Sequence, residues 1–305
     1  MLKFVLKRIA EFVPVLLVVV TLTFFLIRLA PGGPFDSERA VSPEVMRQLE
    51  ANYNLDAPIW RQYLDYLSGV LHGDLGPSFK KPSYTVREWI AMRLPVSLEL
   101  GAYALLVALG IGLTAGVIAA LRPNSWSDYI PMSLAMVGIC LPTFVLGPLL
   151  VLVFGLWLEW LPVAEWSGPA SKILPSITLG TVYAAYIARL CRGGMLEVLS
   201  QDFIRTARAK GLREGAVVLR HGLRGGLQPV VAFLGPAAAG LMTGSFVVET
   251  IFQIPGLGRE FVNAAFNRDY TMILGTVLLY ATFILVFNLL VDVALAWLDP
   301  RLRYD

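Results

Sequence analysis

The feature that most constrains this chain is a series of apolar runs long enough to cross a bilayer. They fall at about 9–29, 97–121, 129–157, 173–191, 227–249 and 271–297. A hydrocarbon core of about 30 Å takes roughly 20 apolar residues as helix. Lipid leaves no water to satisfy backbone polar groups, so a spanning segment is a helix or part of a closed barrel. Runs of this length predict an all-α membrane protein with six spans. Charged residues make up 15% of the chain, and the mean hydropathy is +0.66. A soluble domain carries roughly 25% charged residues.

The first run reads as a retained helix. From Ile9 to Leu29 it exceeds the roughly 7–15 apolar residues of a signal peptide, and Arg28-Leu29-Ala30-Pro31 is a poor cleavage site. The two cysteines, Cys140 and Cys191, suggest no disulfide framework.

Orientation follows from Lys and Arg near the span ends. With the N-terminus in the cytoplasm, that side receives Lys3, Lys7, Arg8, Arg122, the basic residues of 192–226, Arg301 and Arg303. The opposite side has Lys172, Arg259 and Arg268 in its short loops. Both termini are therefore expected inside.

This divides the chain into a first helix (1–30), an extracytoplasmic helical lobe (31–95), a transmembrane domain (96–299) containing a cytoplasmic loop at 192–226, and a tail (300–305). In the lobe, Ser42 is placed as an N-cap before Pro43. Ile59, Tyr63, Tyr66, Leu67 and Val70 recur at helical spacing, and so should pack on one face. Within the spans, Pro142, Gly147, Pro148, Gly235, Pro236 and Gly240 are candidate kinks, while Gly110, Gly112, Ala115 and Gly116 would permit close helix approach.

Catalytic chemistry is poorly supported. No Gly-Lys dipeptide occurs, hence no P-loop. His72 and His221 fall on opposite sides of the membrane, which excludes a metal centre built from them. No catalytic, cofactor-binding or metal-ligating residue is assigned. Asp292 and Glu99 are the candidate membrane acids, both close enough to a span end for a structural hydrogen-bonding role. A proton-coupled secondary carrier, the rival from another class, would call for more such acids. Nothing in the chain points to nucleic acid.

The segment DFIRTARAKGLREGAVVLRHGLRGG, residues 202–226, is the outlier. Arg205, Arg208, Lys210, Arg213, Arg220 and Arg224 would orient the helices and meet anionic headgroups. That accounts for the charge but not for the pattern. Two short helices divided at Gly211, with small Ala207 and Ala209 before it, predict a protruding elbow.

Ala207, three residues, Gly211, nine residues and then His221-Gly222-Leu223 resembles the docking loop of importer-type ABC permeases. That family's broad pattern is Glu-Ala-Ala, three residues, Gly, nine residues, Ile-x-Leu-Pro. Here Arg205-Thr206 replace Glu-Ala and Arg224 replaces Pro, the variant of the oligopeptide and dipeptide branch. MLKFVLKR at the start, RLAPGGPF at 28–35, HGDLGPS at 72–78, VVETIFQIPGLG at 247–258, NRDYTMILG at 267–275 and NLLVDVALAWLDPR at 288–301 are similar to the same branch, closest to its B-subunit group.

The resemblance implies a type I ABC importer fold and a multi-pass subunit in a bacterial inner membrane. It implies a non-enzymatic subunit beside a second, homologous permease, two ATPases that bind ATP and Mg, and an extracytoplasmic peptide-binding protein. Oligopeptide is the implied cargo, with dipeptide, glutathione or nickel as alternatives. The ATPase would dock on Asp202, Arg205, Thr206, Ala207, Lys210, Gly211 and His221. A second candidate surface, facing the binding protein, is the outer loop with Pro255, Gly256, Arg259, Glu260, Arg268 and Asp269.

Overall fold

A computed structural model describes residues 2–30, 32–35, 48 and 53–298. The Ser42–Pro43 helix start, the 300–305 tail with Arg301 and Arg303, and the side chain of Lys3 lie outside what is described. Among the described residues the chain is helical, apart from one isolated bridge between Pro77 and Thr85.

The long helices are α1 (Leu2–Leu29), α3 (Val86–Leu121), α6 (Ile173–Leu199), α10 (Gln228–Met242) and α13 (Tyr270–Leu298). Shorter pieces join them. These are α2 (Ile59–Leu71) in the lobe, α4 (Trp126–Cys140) and α5 (Thr143–Leu150), α7 (Asp202–Ala209), α8 (Glu214–Val217) and α9 (Leu223–Gly226), then α11 (Phe246–Ile251) and α12 (Leu257–Phe266).

Five segments are long and apolar enough to cross a membrane, and α4 with α5 and the π-helical turn Val151–Trp157 makes a sixth. That sixth segment is not the single helix the run at 129–157 suggests, for it bends by 109° between Cys140 and Thr143. Pro142 has no N–H to continue the helix, and it holds Leu141 in extended backbone at φ −97°, ψ 114°. The segment still crosses once. Asp128 at its start is bonded to Arg192 near the end of α6, whereas Glu165 beyond its end donates to the Phe252 carbonyl and follows the turn into Lys172. Its two ends therefore sit at opposite ends of α6.

The core is α3 packed against α6. Gly112 and Gly116 set the approach, since a Cβ at Gly112 would lie 2.7 Å from the Ala184 carbonyl and one at Gly116 2.6 Å from Cys191 Cβ. Ala115 joins Ala135 and Ala188 in a small-residue cluster. Gly110, placed in the same group by sequence, faces open space. Helix α3 starts at Val86, upstream of the apolar run, where Thr85 and Glu88 form a reciprocal capping box. α10 packs on α13, and α1 lies against α13.

The lobe helix α2 packs as its spacing predicts. Tyr63 and Tyr66 meet Phe24 of α1, Thr21 and Tyr63 share a 2.6 Å hydrogen bond, and Arg28 donates to Gln62 at 3.0 and 3.3 Å. Ile59 of the same stripe is exposed.

Candidate functional site: an elbow and a clasp at opposite ends of the bundle

The elbow follows α6. Helix α7 is strongly amphipathic, burying Ile204 and Ala207 against Val198 and Val217 and leaving Asp202, Arg205, Thr206, Arg208 and Lys210 open. It ends in a Schellman motif. The Gly211 N–H donates to the Arg208 carbonyl at 2.9 Å, and the Leu212 N–H to the Ala207 carbonyl at 3.4 Å. Gly211 sits at φ +77°, a left-handed conformation that disfavours any residue with a Cβ. The Ala-x-x-x-Gly spacing now has a physical reason. Ala207 is small because it seats the helix on α6, and Gly211 is the C′ residue that turns the chain.

The second arm is locked to the first. Arg208 donates to both carboxylate oxygens of Glu214, at 2.6 and 3.1 Å. The Arg208 guanidinium holds the Glu214 carboxyl below the usual carboxylate range, and Glu214 raises Arg208 in turn. Asp202 and Arg205 pair at 3.4 Å on the open face. Beyond α8 a π-helical turn, Val218–Gly222, leads through half-buried His221 into α9. Phe203, Leu212 and Leu219 are apolar and exposed on this elbow.

At the other end, the predicted outer-loop residues divide into two kinds. Pro255 and Arg259 are exposed. The rest hold the loop together. Asp269 is 3% exposed and accepts from the Ser78 hydroxyl at 2.5 Å, the Phe79 N–H at 3.2 Å, the Lys80 N–H at 3.4 Å and the Met272 N–H at 3.3 Å. One carboxylate thus caps α13 and anchors the 76–80 loop. Glu260 pairs with Lys81 and accepts from the Trp89 indole at 3.0 Å. Arg268 donates to the Gly33 carbonyl at 3.4 Å. Gly256 is buried beside Glu249.

Glu249 is the residue that sequence reasoning missed. It is fully buried, and its carboxylate accepts from the Ser97 hydroxyl and the Arg259 N–H, both at 2.8 Å. Ser97 accepts from the Leu257 N–H at 2.8 Å, so one acid clasps α3, α11 and the start of α12. Its signal was present as an acid ending an apolar run just before a Gly-rich turn with free N–H groups. The intramembrane acids are likewise engaged: Glu99 with Lys172 and Trp166, Asp128 with Arg192, Asp292 with Arg8. Among the described residues no cluster of His, Cys, Asp and Glu is placed to hold a metal.

Comparison with known proteins gives a consistent picture. Residues 112–304 match the binding-protein-dependent transport system inner membrane component family, and residues 1–101 match the N-terminal part of such membrane components. The oligopeptide transport system permease protein OppB of Salmonella typhimurium is 50% identical over 306 residues, covering 100% of both chains. The OppB of Escherichia coli K12 is also 50% identical over 100% of both. The dipeptide transport system permease protein DppB of Bacillus subtilis is 45% identical over 99% of this chain and 98% of its own. A chain of the inward-facing MetNI methionine ABC transporter shares the fold, with a TM-score of 0.57 at 16% identity, covering 69% of this chain and 96% of that one.

Proposed function

Because this chain belongs to the binding-protein-dependent transport system inner membrane component family, we propose that it forms half of the translocation pathway of an ATP-driven oligopeptide importer. It is a transport subunit rather than an enzyme. Its partners would be a second, homologous permease, two ATPases that bind ATP and Mg, and an extracytoplasmic peptide-binding protein. The oligopeptide cargo rests on full-length identity of 50% to OppB proteins. Dipeptides are the second reading, favoured by the 45% identity to a DppB.

The observation that carries the coupling role is the rigid elbow. A Schellman turn at Gly211, the Arg208–Glu214 pair and the buried Ile204, Ala207 and Val217 make residues 202–217 one body fixed to the end of α6. Its open face, with Asp202, Arg205, Thr206 and Lys210, is where the ATPase would dock; Ala207, Gly211 and His221 would shape that face. Positive charge on the elbow supports a cytoplasmic position for it and for both termini. The clasp end then faces outward, with Pro255 and Arg259 open to the binding protein.

ATP binding draws the two ATPases together, and each elbow moves as a lever on the end of α6. To turn a 1:99 population into 99:1, ATP must favour one state by about 5.5 kcal/mol. A frayed elbow would dissipate that difference. A proton-coupled carrier is disfavoured because Glu99, Asp128, Glu249 and Asp292 are all tied to structural partners.

The test is ATP-dependent uptake into proteoliposomes holding the whole complex, with labelled peptides of two to five residues, glutathione and nickel as cargo. Uptake of the longer peptides that requires ATP and the binding protein is expected. Uptake of glutathione or nickel alone would refute the cargo, and uptake without the ATPases would refute the importer.

A further inference from the structure

Helix α6 is the most enclosed of the spans, yet one stripe of it is open. Tyr186, Arg189, Gly193 and Glu197 are all exposed and follow one another at helical spacing. Arg189 is the unusual member. Its guanidinium does not reach back toward the elbow end. Nη2 lies 3.5 Å from the sulfur of Met136, and Cζ lies 5.7 Å from the centroid of the Tyr186 ring. Met136 stands two turns along α4 from Asp128, whose pairing with Arg192 marks the elbow end. At 1.5 Å per residue the head group is about 12 Å inside that level.

Three cations near the spans have an acid, and this one does not. Arg192 has Asp128, Lys172 has Glu99 and Arg8 has Asp292. Among the described residues no carboxylate lies within ion-pair distance of Arg189. An unpaired charge at membrane depth is costly against lipid, and such residues face a water-filled cavity or the bundle interior. The surroundings suit a cavity. Tyr186 packs on Phe233 of α10 with centroids 5.8 Å apart, and Ala232, Pro236 and Gly240 leave the adjoining face of α10 open and shallow.

We infer that Arg189 lines the translocation pathway and receives the C-terminal carboxylate of the passing peptide, with Tyr186 as the wall beside it. This rests on the reading of the chain as a peptide permease. A pathway that admits varied side chains can recognise only what all peptides share, which is the main chain and its charged termini. A guanidinium fork matches a carboxylate in two parallel hydrogen bonds. With no acid among the described residues to neutralise it, that fork is available to a transient anion. Its exposure keeps the contact weak enough to release.

The experiment compares uptake of one peptide as free acid and as C-terminal amide by the reconstituted complex, for wild type, Arg189→Gln and Arg189→Lys. One binding protein serves all three, so its own preference cancels between variants. Wild type is expected to prefer the free acid by about tenfold, the scale of one charge-assisted hydrogen bond. Arg189→Gln should bring the ratio toward one by slowing the free acid, and Arg189→Lys should retain a preference. The same ratio in wild type and Arg189→Gln overturns the inference. So does equal slowing of both forms, which would mean that Arg189 pairs with the neighbouring permease. If wild type takes up neither form, the peptide-importer reading itself fails and the inference falls with it.

Discussion

Arg192 of α6 holds the Asp128 carboxylate of α4 by both oxygens, at 2.7 and 2.6 Å. Asp128 is 2% exposed, so this pair fixes the start of the bent third span to the α6 end that carries the elbow. Removing Asp128 leaves the Arg192 guanidinium, 29% exposed, without its acid, at a cost of about 1–3 kcal/mol. Asp128→Ala should therefore lower the thermal midpoint of the purified chain clearly, while Asp128→Ala with Arg192→Met should recover most of the loss. Equal losses in the single and double variants would show that the pair itself is not the source.

The elbow should soften in acid. Glu214 has a folded-state pKa below its unfolded value, because Arg208 bonds the carboxylate. Its contribution is present above the unfolded carboxylate pKa and is lost as pH falls through the lower, folded one. Amide exchange at Gly211 and Leu212, corrected for intrinsic rates, should rise in that acidic window. Glu214→Gln should show the raised level at neutral pH. A Glu214→Gln variant as protected as wild type would remove the pair from the account.

At the far end, Asp269 joins the 76–80 loop to α13 through side-chain and backbone donors. Asp269→Ala orphans several of them, at about 1–3 kcal/mol. Limited proteolysis should then cut within residues 72–85 at protease levels that spare wild type. An unchanged cleavage pattern would mean that the loop is held elsewhere.

Arg259 is the exposed basic residue of the 255–260 turn, although its backbone N–H is bonded to Glu249. If this end receives the binding protein, Arg259→Glu should weaken stimulation of ATP hydrolysis by that protein several-fold and leave stability within about 0.5 kcal/mol. Unaltered stimulation would count against docking at this turn.

Much of this was legible in the sequence because lipid imposes simple rules. Run length gave the six crossings, and helical spacing put Tyr63 and Tyr66 on one packing face, whose partner in the structure is α1. Gly211 was marked as the divide between two short helices, and the Schellman bonds make it the cap of the first. The clasp was not legible. Glu249 is bound by Ser97, 152 residues away, and by an N–H that becomes available only once the 253–259 turn folds over it. Asp269 and Glu260 looked like polar loop residues for the same reason, since their donors, Ser78, Lys81 and Trp89, lie about 170 to 190 residues earlier. Spacing cannot report long-range partners. The bend at Pro142 could be anticipated as a kink, but its 109° depends on how α5 packs against α6 and α11.

The central claim is that a folded elbow transmits ATP binding to the spans. The most direct test measures peptide-stimulated ATP hydrolysis in the reconstituted complex with Gly211→Pro. Proline cannot adopt φ +77° and lacks the N–H that bonds to Arg208, so the turn cannot form as it stands. The Gly211→Pro complex should assemble, and its ATP hydrolysis should no longer respond to peptide and binding protein. Full stimulation in an assembled Gly211→Pro complex would contradict the claim.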